Sequence, residues 1–328
     1  MKRKPNLYFS RRAALAGIAA SISVPFFTGV AQAQAPVSIV ATTGMIADAA
    51  RQIGADRVVV NALMGPGVDP HGYRQTRSDI VAMTRADLVL WHGLFLEAQM
   101  ERFFEDLSRK RTVVAVAENL PRDTLIGHAN YTGRYDPHVW MDPEIWDLVI
   151  ANVRDALIRV SPQDADYFEQ NAQSYQRKIS SLAVYCRTTL AGVLPAQRVL
   201  LTAHDAFGYF GKAYGFDVVG VQGISTASEA GLNRISELVN MLVARDIRAV
   251  FVETSVSDRN MRALIEGAAA RGHDVSIGGE LFSDAMGADG TYEGTYIGMI
   301  DHNVTSIARA LGAKASPAGY AGRLGLGS

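Results

Sequence analysis

The chain of 328 residues is long enough for two domains, and with 48% hydrophobic and 20% charged residues it has the composition of a folded globular protein. Its first 35 residues hold five of the 32 basic residues and none of the 33 acidic ones, so the remainder has a net charge of about −6. That acidity argues against nucleic acid as a partner. The single cysteine, Cys186, excludes an intramolecular disulfide and is expected to pack as a small apolar residue.

Residues 1–35 have the pattern of an export signal. A basic start leads to the adjacent pair Arg11 and Arg12, then to an apolar run as far as Val30 and small residues through Ala35. The arginine pair resembles a twin-arginine signal, with the general secretory route as the alternative. Gly, Ser and Pro interrupt the apolar run and an Ala-x-Ala pattern follows, so we expect cleavage rather than a membrane span. The mature chain is therefore predicted in the periplasm.

Residues 36–160 predict an N-terminal α/β lobe. Short β-branched runs alternate here with amphipathic segments, which is typical of a parallel sheet covered by helices. The predicted strands are residues 37–42, 57–63, 87–92 and 112–116.

Residues 161–192 predict one long linking helix. Ser161 is a candidate cap with Pro162 in the first turn, and no breaker follows until Gly192. Apolar residues recur every three or four positions and form one stripe. At 1.5 Å per residue the helix is a rod of about 45 Å, which we expect to run rigidly along both lobes. A coiled coil is the alternative, but the charged flanking positions are too irregular for one.

Residues 193–328 repeat the alternation and predict a second, similar lobe. The predicted strands are residues 198–203, 217–220, 248–253 and 274–278. The fold class is therefore α/β, with two similar parallel-sheet lobes joined by one long rigid helix. The last dozen residues, rich in Gly, Ala and Ser, predict a frayed tail.

Four short segments each place one metal-type ligand just after a predicted strand or in a turn: His71, His138, His204 and Asp284. The first two stand in identical Asp-Pro-His tripeptides. Separations of 67, 66 and 80 residues are too long for a local metal knuckle, so the site forms only if both lobes bring the ligands into one cleft. Taken singly, each residue could be a solvated loop histidine or a helix cap. Together, their positions at strand ends favour a metal site.

Two acidic residues are candidate acceptors that would orient the imidazoles, Glu253 at a strand end and Asp205 next to His204. Each could equally be a helix cap or a surface acid. The remaining histidines are assigned to structure or solvent, with His128 a candidate to help recruit metal: His92, His128, His273 and His302.

Between residues 37 and 311 the chain resembles the metal-binding components of manganese and zinc ABC importers, of the cluster A-I type. The resemblance rests on the four ligand segments together with residues 93–97, 223–229 and 294–296. It implies one ligand in each segment, hence His71, His138, His204 and Asp284, and it implies an ABC permease with its ATPase as partners of a monomer. The run after His71, residues 72–76, departs from the Tyr-Glu-Pro-like pattern usual in that family and alters the rim of the site.

The resemblance favours manganese slightly over zinc as the transported metal. Zinc members often carry a His-rich loop before the second ligand, whereas residues 121–135 hold only His128. Residues 204–210 resemble the manganese branch, although a histidine at the third position is closer to zinc. By the Irving–Williams order such a site binds zinc more tightly than manganese whatever its cargo, and ferrous iron is a third candidate.

The expected function is therefore a substrate-binding component that captures a divalent transition metal and delivers it to a permease, and not an enzyme. One alternative is a periplasmic mononuclear metallohydrolase with Glu253 as general base. Another is an exported adhesion or scaffold protein, in which the site would be dispensable. The sequence contains no His-Glu-x-x-His pair, which argues against the hydrolase.

Overall fold

The computed structural model describes residues 1–2, 35–128 and 132–325. Most of the predicted export signal, residues 1–35, lies outside the described residues. Pro36–Ser328 forms one compact unit. Within the part of the chain that is described, no helix combines the length and the apolar character needed to cross a bilayer.

The N-terminal lobe is built on a four-stranded parallel sheet. Its strands are β1 (Val37–Ala41), β2 (Val58–Ala62), β3 (Leu88–Trp91) and β4 (Thr112–Ala115), in the spatial order β2-β1-β3-β4. Helices α1 (Gly44–Gly54), α2 (Arg77–Arg85) and α3 (Glu101–Ser108) connect them. All four predicted strands are present, and because they are parallel their carboxyl ends share one edge of the sheet.

Two long helices follow the first sheet. Helix α4 (Pro143–Val160) leads through a 3-10 turn at Pro162–Asp164 into α5 (Ala165–Leu190), whose 26 residues span about 39 Å. The predicted helix covered residues 161–192, and its first turn is 3-10 rather than α. The predicted apolar stripe is buried along its whole length: Phe168, Ala172, Tyr175, Ile179, Leu182, Cys186 and Leu190.

The C-terminal lobe repeats the alternation of parallel strands and helices. Strand β5 (Val199–Thr202) pairs with β6 (Asp217–Gly220), β7 (Ala249–Glu253) pairs with β8 (Ser276–Leu281), and β5 lies against β7. The helices of this lobe are α6 (Gly208–Tyr214), α7 (Leu232–Ala244), α8 (Arg259–Ala269) and α9 (Tyr296–Ala310).

The last strand extends three residues beyond its predicted end. The sequence predicted residues 274–278, but β8 runs from Ser276 to Leu281 and includes both Gly278 and Gly279. Gly278 lets β8 pack closely against α9: a Cβ at this position would lie 2.9 Å from Ala310 Cβ in α9 and 3.0 Å from the Phe251 ring. The strand thus carries the chain to within three residues of Asp284.

One hydrophobic core runs through both lobes. It extends from Ile39 and Ile46 in the first lobe, along α5, to Met299 in α9. A buried polar contact reinforces this joint, since Asp48 of α1 accepts hydrogen bonds from the Tyr175 hydroxyl and the Tyr296 backbone N–H, both at 3.0 Å. The two lobes therefore share a packed base along α5, as predicted for a rigid connection.

The prediction of a frayed tail is wrong for the described residues up to Gly325. Asp301, fully buried on α9, accepts the Tyr320 N–H at 2.8 Å. The Tyr320 ring lies 5.2 Å from that of Tyr185, and the Arg323 guanidinium lies over Tyr292 at 4.8 Å. Composition could not reveal this docking, because a single buried carboxylate distant in sequence provides the anchor.

Candidate metal centre

The structure brings all four predicted ligand residues together. His71 lies between β2 and α2, His138 between β4 and α4, His204 two residues after β5, and Asp284 three residues after β8. One ligand atom from each lies within 4.8 Å of all the others, and all four side chains are buried. Each lobe supplies two of the four residues, so the cluster occupies the cleft between the lobes.

The spacing of the four side chains suits a single cation. His71 Nε2 lies 3.3 Å from His138 Nε2 and 3.8 Å from Asp284 Oδ2. His138 Nε2 lies 3.3 Å from Asp284 Oδ1, and His204 Nε2 lies 3.1 Å from Asp284 Oδ2. Two atoms that each bind a metal at about 2.1 Å in tetrahedral geometry stand about 3.4 Å apart. Both oxygens of Asp284 face the imidazoles.

The two Asp-Pro-His tripeptides form the same local turn. Asp69 Oδ1 accepts the His71 N–H at 2.8 Å, and Asp136 Oδ1 accepts the His138 N–H at 2.9 Å. This is an Asx turn, with the intervening proline fixing φ. The repeated sequence is therefore explained by its geometry: the aspartate fixes the backbone of the histidine that follows it.

Beyond that turn the two tripeptides differ. Asp136 Oδ1 also lies 2.6 Å from His138 Nδ1, so the aspartate accepts from the imidazole as well as from the backbone. Asp69 instead accepts the Thr226 hydroxyl at 2.5 Å through Oδ2. The structure gives Nδ1 of His71 no hydrogen-bond partner among the described residues.

Of the two predicted acceptors, Glu253 contacts an imidazole and Asp205 does not. Glu253 Oε1 accepts the His204 N–H at 2.9 Å, and Oε2 lies 2.5 Å from His204 Nδ1. Nowhere in the described chain does the Asp205 carboxylate bond an imidazole. The second carboxylate that bonds an imidazole is Asp136, on His138 Nδ1. The sequence did not predict this role, although Asp136 opens one of the two Asp-Pro-His tripeptides. In a neutral ring, an Nδ1 that donates to a carboxylate leaves Nε2 with its lone pair toward the site.

The charges of the cluster separate the pKa values of its histidines. Burial lowers the pKa of His71 to about 4, even though Asp284 favours its charged form. Burial also disfavours charge on His138, but Asp136 and Asp284 outweigh it and raise that pKa to about 9. In the same way Asp284 and Glu253 overcome burial and raise the pKa of His204 well above its usual value. A cation entering the site therefore competes with protons on two of its three imidazoles.

Burial alone would raise the pKa of Asp284, but the neighbouring imidazoles hold it well below its usual range, so the carboxylate is anionic. His204 Nε2 and both Asp284 oxygens are nevertheless buried without a well-aligned hydrogen bond to any described residue. Unpaired buried polar atoms are costly. Imidazole nitrogens and an ionised carboxylate are ligands of divalent transition metals, and such an ion would satisfy all three atoms at once.

Three of the remaining histidines make structural hydrogen bonds. The ring Nε2 atoms of His92, His273 and His302 lie 2.7, 2.7 and 2.9 Å from the carbonyl oxygens of Pro137, Ile247 and Glu280. His128 lines the same open cavity as His71. These positions agree with the assignment of His92, His273 and His302 to structure.

Comparisons with known proteins agree with the geometry. The family model of the periplasmic zinc-uptake complex component A, ZnuA, matches residues 39–310. The manganese-binding lipoprotein MntA of Bacillus subtilis is 45% identical over 275 residues, covering 84% of this chain and 90% of that protein. The iron-binding protein YfeA of Yersinia pestis is 32% identical, covering 84% of this chain and 86% of that protein.

The zinc-binding protein TroA of Treponema pallidum is 45% identical over 273 residues, covering 83% of this chain and 88% of TroA. Its solved structure superimposes with a TM-score of 0.82 at 44% identity, covering 85% of this chain and all of that one. The chain therefore belongs to the ZnuA family, the cluster A-I metal-binding substrate-binding proteins of ABC importers.

Proposed function

We propose that this chain captures a divalent transition metal in the periplasm and delivers it to a membrane permease, as a monomer from which residues 1–35 have been removed. One observation carries the proposal. Three imidazoles and a carboxylate, two from each lobe, converge with their ligand atoms within 4.8 Å of one another. A site assembled from both lobes lets a partner release the ion by moving one lobe slightly relative to the other.

We propose manganese as the cargo, with zinc the main competitor and ferrous iron a third candidate. Both oxygens of Asp284 face the imidazoles, at 3.3 Å from His138 Nε2 and 3.1 Å from His204 Nε2. A bidentate carboxylate would complete a five-coordinate shell of three nitrogens and two oxygens. Structural zinc sites are almost always tetrahedral, and carboxylate oxygens suit manganese. MntA carries the name of a manganese-binding protein and TroA that of a zinc-binding one.

The hydrogen bonds of Glu253 support a carrier over a metallohydrolase. A hydrolase would use this residue as general base on a metal-bound water. Here both carboxylate oxygens are engaged by His204, one by its N–H and one by Nδ1. Glu253 is thus placed to orient an imidazole rather than to accept a proton from water.

The metal content of the protein purified from its native compartment, without added metal, tests the proposal. We expect one equivalent of manganese in the wild-type protein, and none in His204→Ala. His302→Ala is the matched control, because His302 bonds the Glu280 carbonyl outside the cluster and should leave the metal content unchanged. One equivalent of zinc or iron would support the carrier function and show that the cargo is that metal instead of manganese. A wild-type protein that neither contains nor takes up a divalent metal would refute the proposal.

Delivery needs a test in cells. Cells that lack the chain should lose high-affinity manganese uptake, and the wild-type gene should restore it while His204→Ala should not. Normal uptake without the chain, or full rescue by His204→Ala, would support the scaffold alternative, in which the site is dispensable.

A further inference from the structure

Only one of the four clustered residues borders a large opening. A cavity of about 550 Å³ reaches His71, and both lobes line it, with Phe95, Gln99 and Tyr135 on one side and Ile224 and Ser225 on the other. None of the other three ligand residues lines this cavity. Asp284 lines a pocket of only about 50 Å³, which has room for a few water molecules at most. The cavity beside His71 is therefore the wider of these two approaches to the centre.

His71 is also the imidazole with the weakest support. His138 and His204 each have a carboxylate on Nδ1, at 2.6 and 2.5 Å. His71 is held by the bond from its backbone N–H to Asp69 at 2.8 Å. Its position in the cluster thus depends on where Asp69 holds the loop.

Asp69 is fixed in turn from the other lobe. The hydroxyl of Thr226, in the loop between β6 and α7, donates to Asp69 Oδ2 at 2.5 Å across 157 residues of sequence. A hydroxyl bound to an ionised carboxylate makes a short, charge-assisted hydrogen bond. The same carboxylate therefore ties the His71 backbone with one oxygen and the C-terminal lobe with the other.

We propose that Thr226 is a positioning residue that latches the C-terminal lobe to the His71 loop, and that metal enters and leaves past His71 when this latch opens. The proposal rests on the proposed function, because it assigns a route and a control point to the same site. Thr226 does not touch the ligand atoms. Its effect passes through Asp69 to the position of His71.

The rate of metal dissociation tests the latch. The purified mature protein is loaded with Mn²⁺, then with Zn²⁺ in a second series, and dissociation is followed after mixing with excess EDTA. Thr226→Val removes the hydroxyl while keeping the shape, and should raise the dissociation rate about tenfold, the effect expected for losing a charge-assisted hydrogen bond. Metal stoichiometry should stay at one.

Three controls separate a latch from a general structural role. Thr226→Ser keeps the hydroxyl and should restore the wild-type rate. Thr188→Val makes the same change on α5, where the hydroxyl donates to the Val184 carbonyl, and should change little. In an Asp69→Ala background, Thr226→Val should have no further effect, because the partner is already gone. The thermal midpoint of metal-free Thr226→Val should fall by no more than a few degrees, the loss expected for one hydrogen bond in a chain of this size.

A dissociation rate unchanged in Thr226→Val, or an equal acceleration with and without Asp69, would overturn the latch while leaving the carrier function intact. A wild-type protein that binds neither Mn²⁺ nor Zn²⁺ would overturn the proposed function and the latch with it.

Discussion

The two sides of the metal centre are held in different ways. On the inner side, His138 and His204 are fully buried, and each donates a hydrogen bond from Nδ1 to a carboxylate. On the outer side, His71 borders the large cavity, and the bond from its backbone N–H to Asp69 holds it in place. A carrier must both retain and release its cargo. In the proposed release past His71, one firmly held side and one side that opens meet both needs with a single set of ligands.

The largest expected effect is the dependence of metal affinity on pH. In the metal-free protein the raised pKa values of His138 and His204 keep both rings protonated at neutral pH, whereas the pKa of about 4 leaves His71 neutral. Each displaced proton makes affinity rise about tenfold per pH unit, so two protons give about 10⁴-fold between pH 5.5 and 7.5. Isothermal titration calorimetry in buffers of different ionisation enthalpy measures both the affinity and the protons released.

Two protons released is the number expected if both come from His138 and His204 on the inner side. Release of three, or an affinity independent of pH, would contradict the difference between the two sides. The metal-free protein provides a second check. Because the folded-state pKa of His138 is raised from 6.5 to about 9, its contribution to stability is complete below pH 6.5 and is lost as pH rises through 9. The thermal midpoint of the metal-free protein should fall over that range.

Removing one ligand from each side should give the next largest effect. His138→Ala leaves a coordination position that water cannot easily reach. Metal affinity should therefore fall more than about 100-fold, which is the largest loss expected for removing a residue that only orients a ligand. In His71→Ala the vacated coordination position borders the cavity, so water can occupy it. The loss of metal affinity should therefore be at least about tenfold smaller than in His138→Ala. Direct titration with Mn²⁺ and Zn²⁺ measures both. Equal losses would remove the distinction between the sides.

The smallest effect should come from the carboxylate behind an inner histidine. Glu253→Gln replaces the anionic acceptor on His204 Nδ1 by a neutral amide, and should lower metal affinity about 10- to 100-fold. Asp205→Asn is the matched control, since Asp205 neighbours His204 in sequence without bonding an imidazole, and affinity should stay within about twofold. Metal competition against a fluorescent chelator measures both variants. A larger loss in Asp205→Asn than in Glu253→Gln would contradict the assignment.

Strand positions in the sequence predicted which side chains could meet, and the family resemblance selected the four ligands. Parallel strands bring their carboxyl ends to one edge, so His204 after β5 and Asp284 after β8 could be placed in one cleft without knowing any contact. The apolar stripe of α5 was equally predictable, because helical periodicity is local.

The contacts that distinguish the two sides could not be read in this way. Asp69 and Asp136 stand in identical tripeptides, yet one bonds Thr226 of the other lobe and the other bonds its own neighbouring imidazole. Only the tertiary packing around each turn decides between these partners. The predictions for the end of β8 and for the C-terminal tail were wrong for the same reason, because Gly278 and Asp301 contact residues distant in sequence.

A crystal structure of the mature protein loaded with Mn²⁺, with anomalous diffraction recorded across the metal edge, tests the central claim most directly. We predict a single anomalous peak in the interlobe cleft at bonding distance, about 2.0–2.3 Å, from Nε2 of His71, His138 and His204 and from the Asp284 carboxylate. A peak elsewhere, or full occupancy of the cleft by an ion that leaves any of the three imidazoles unbound, would contradict the account.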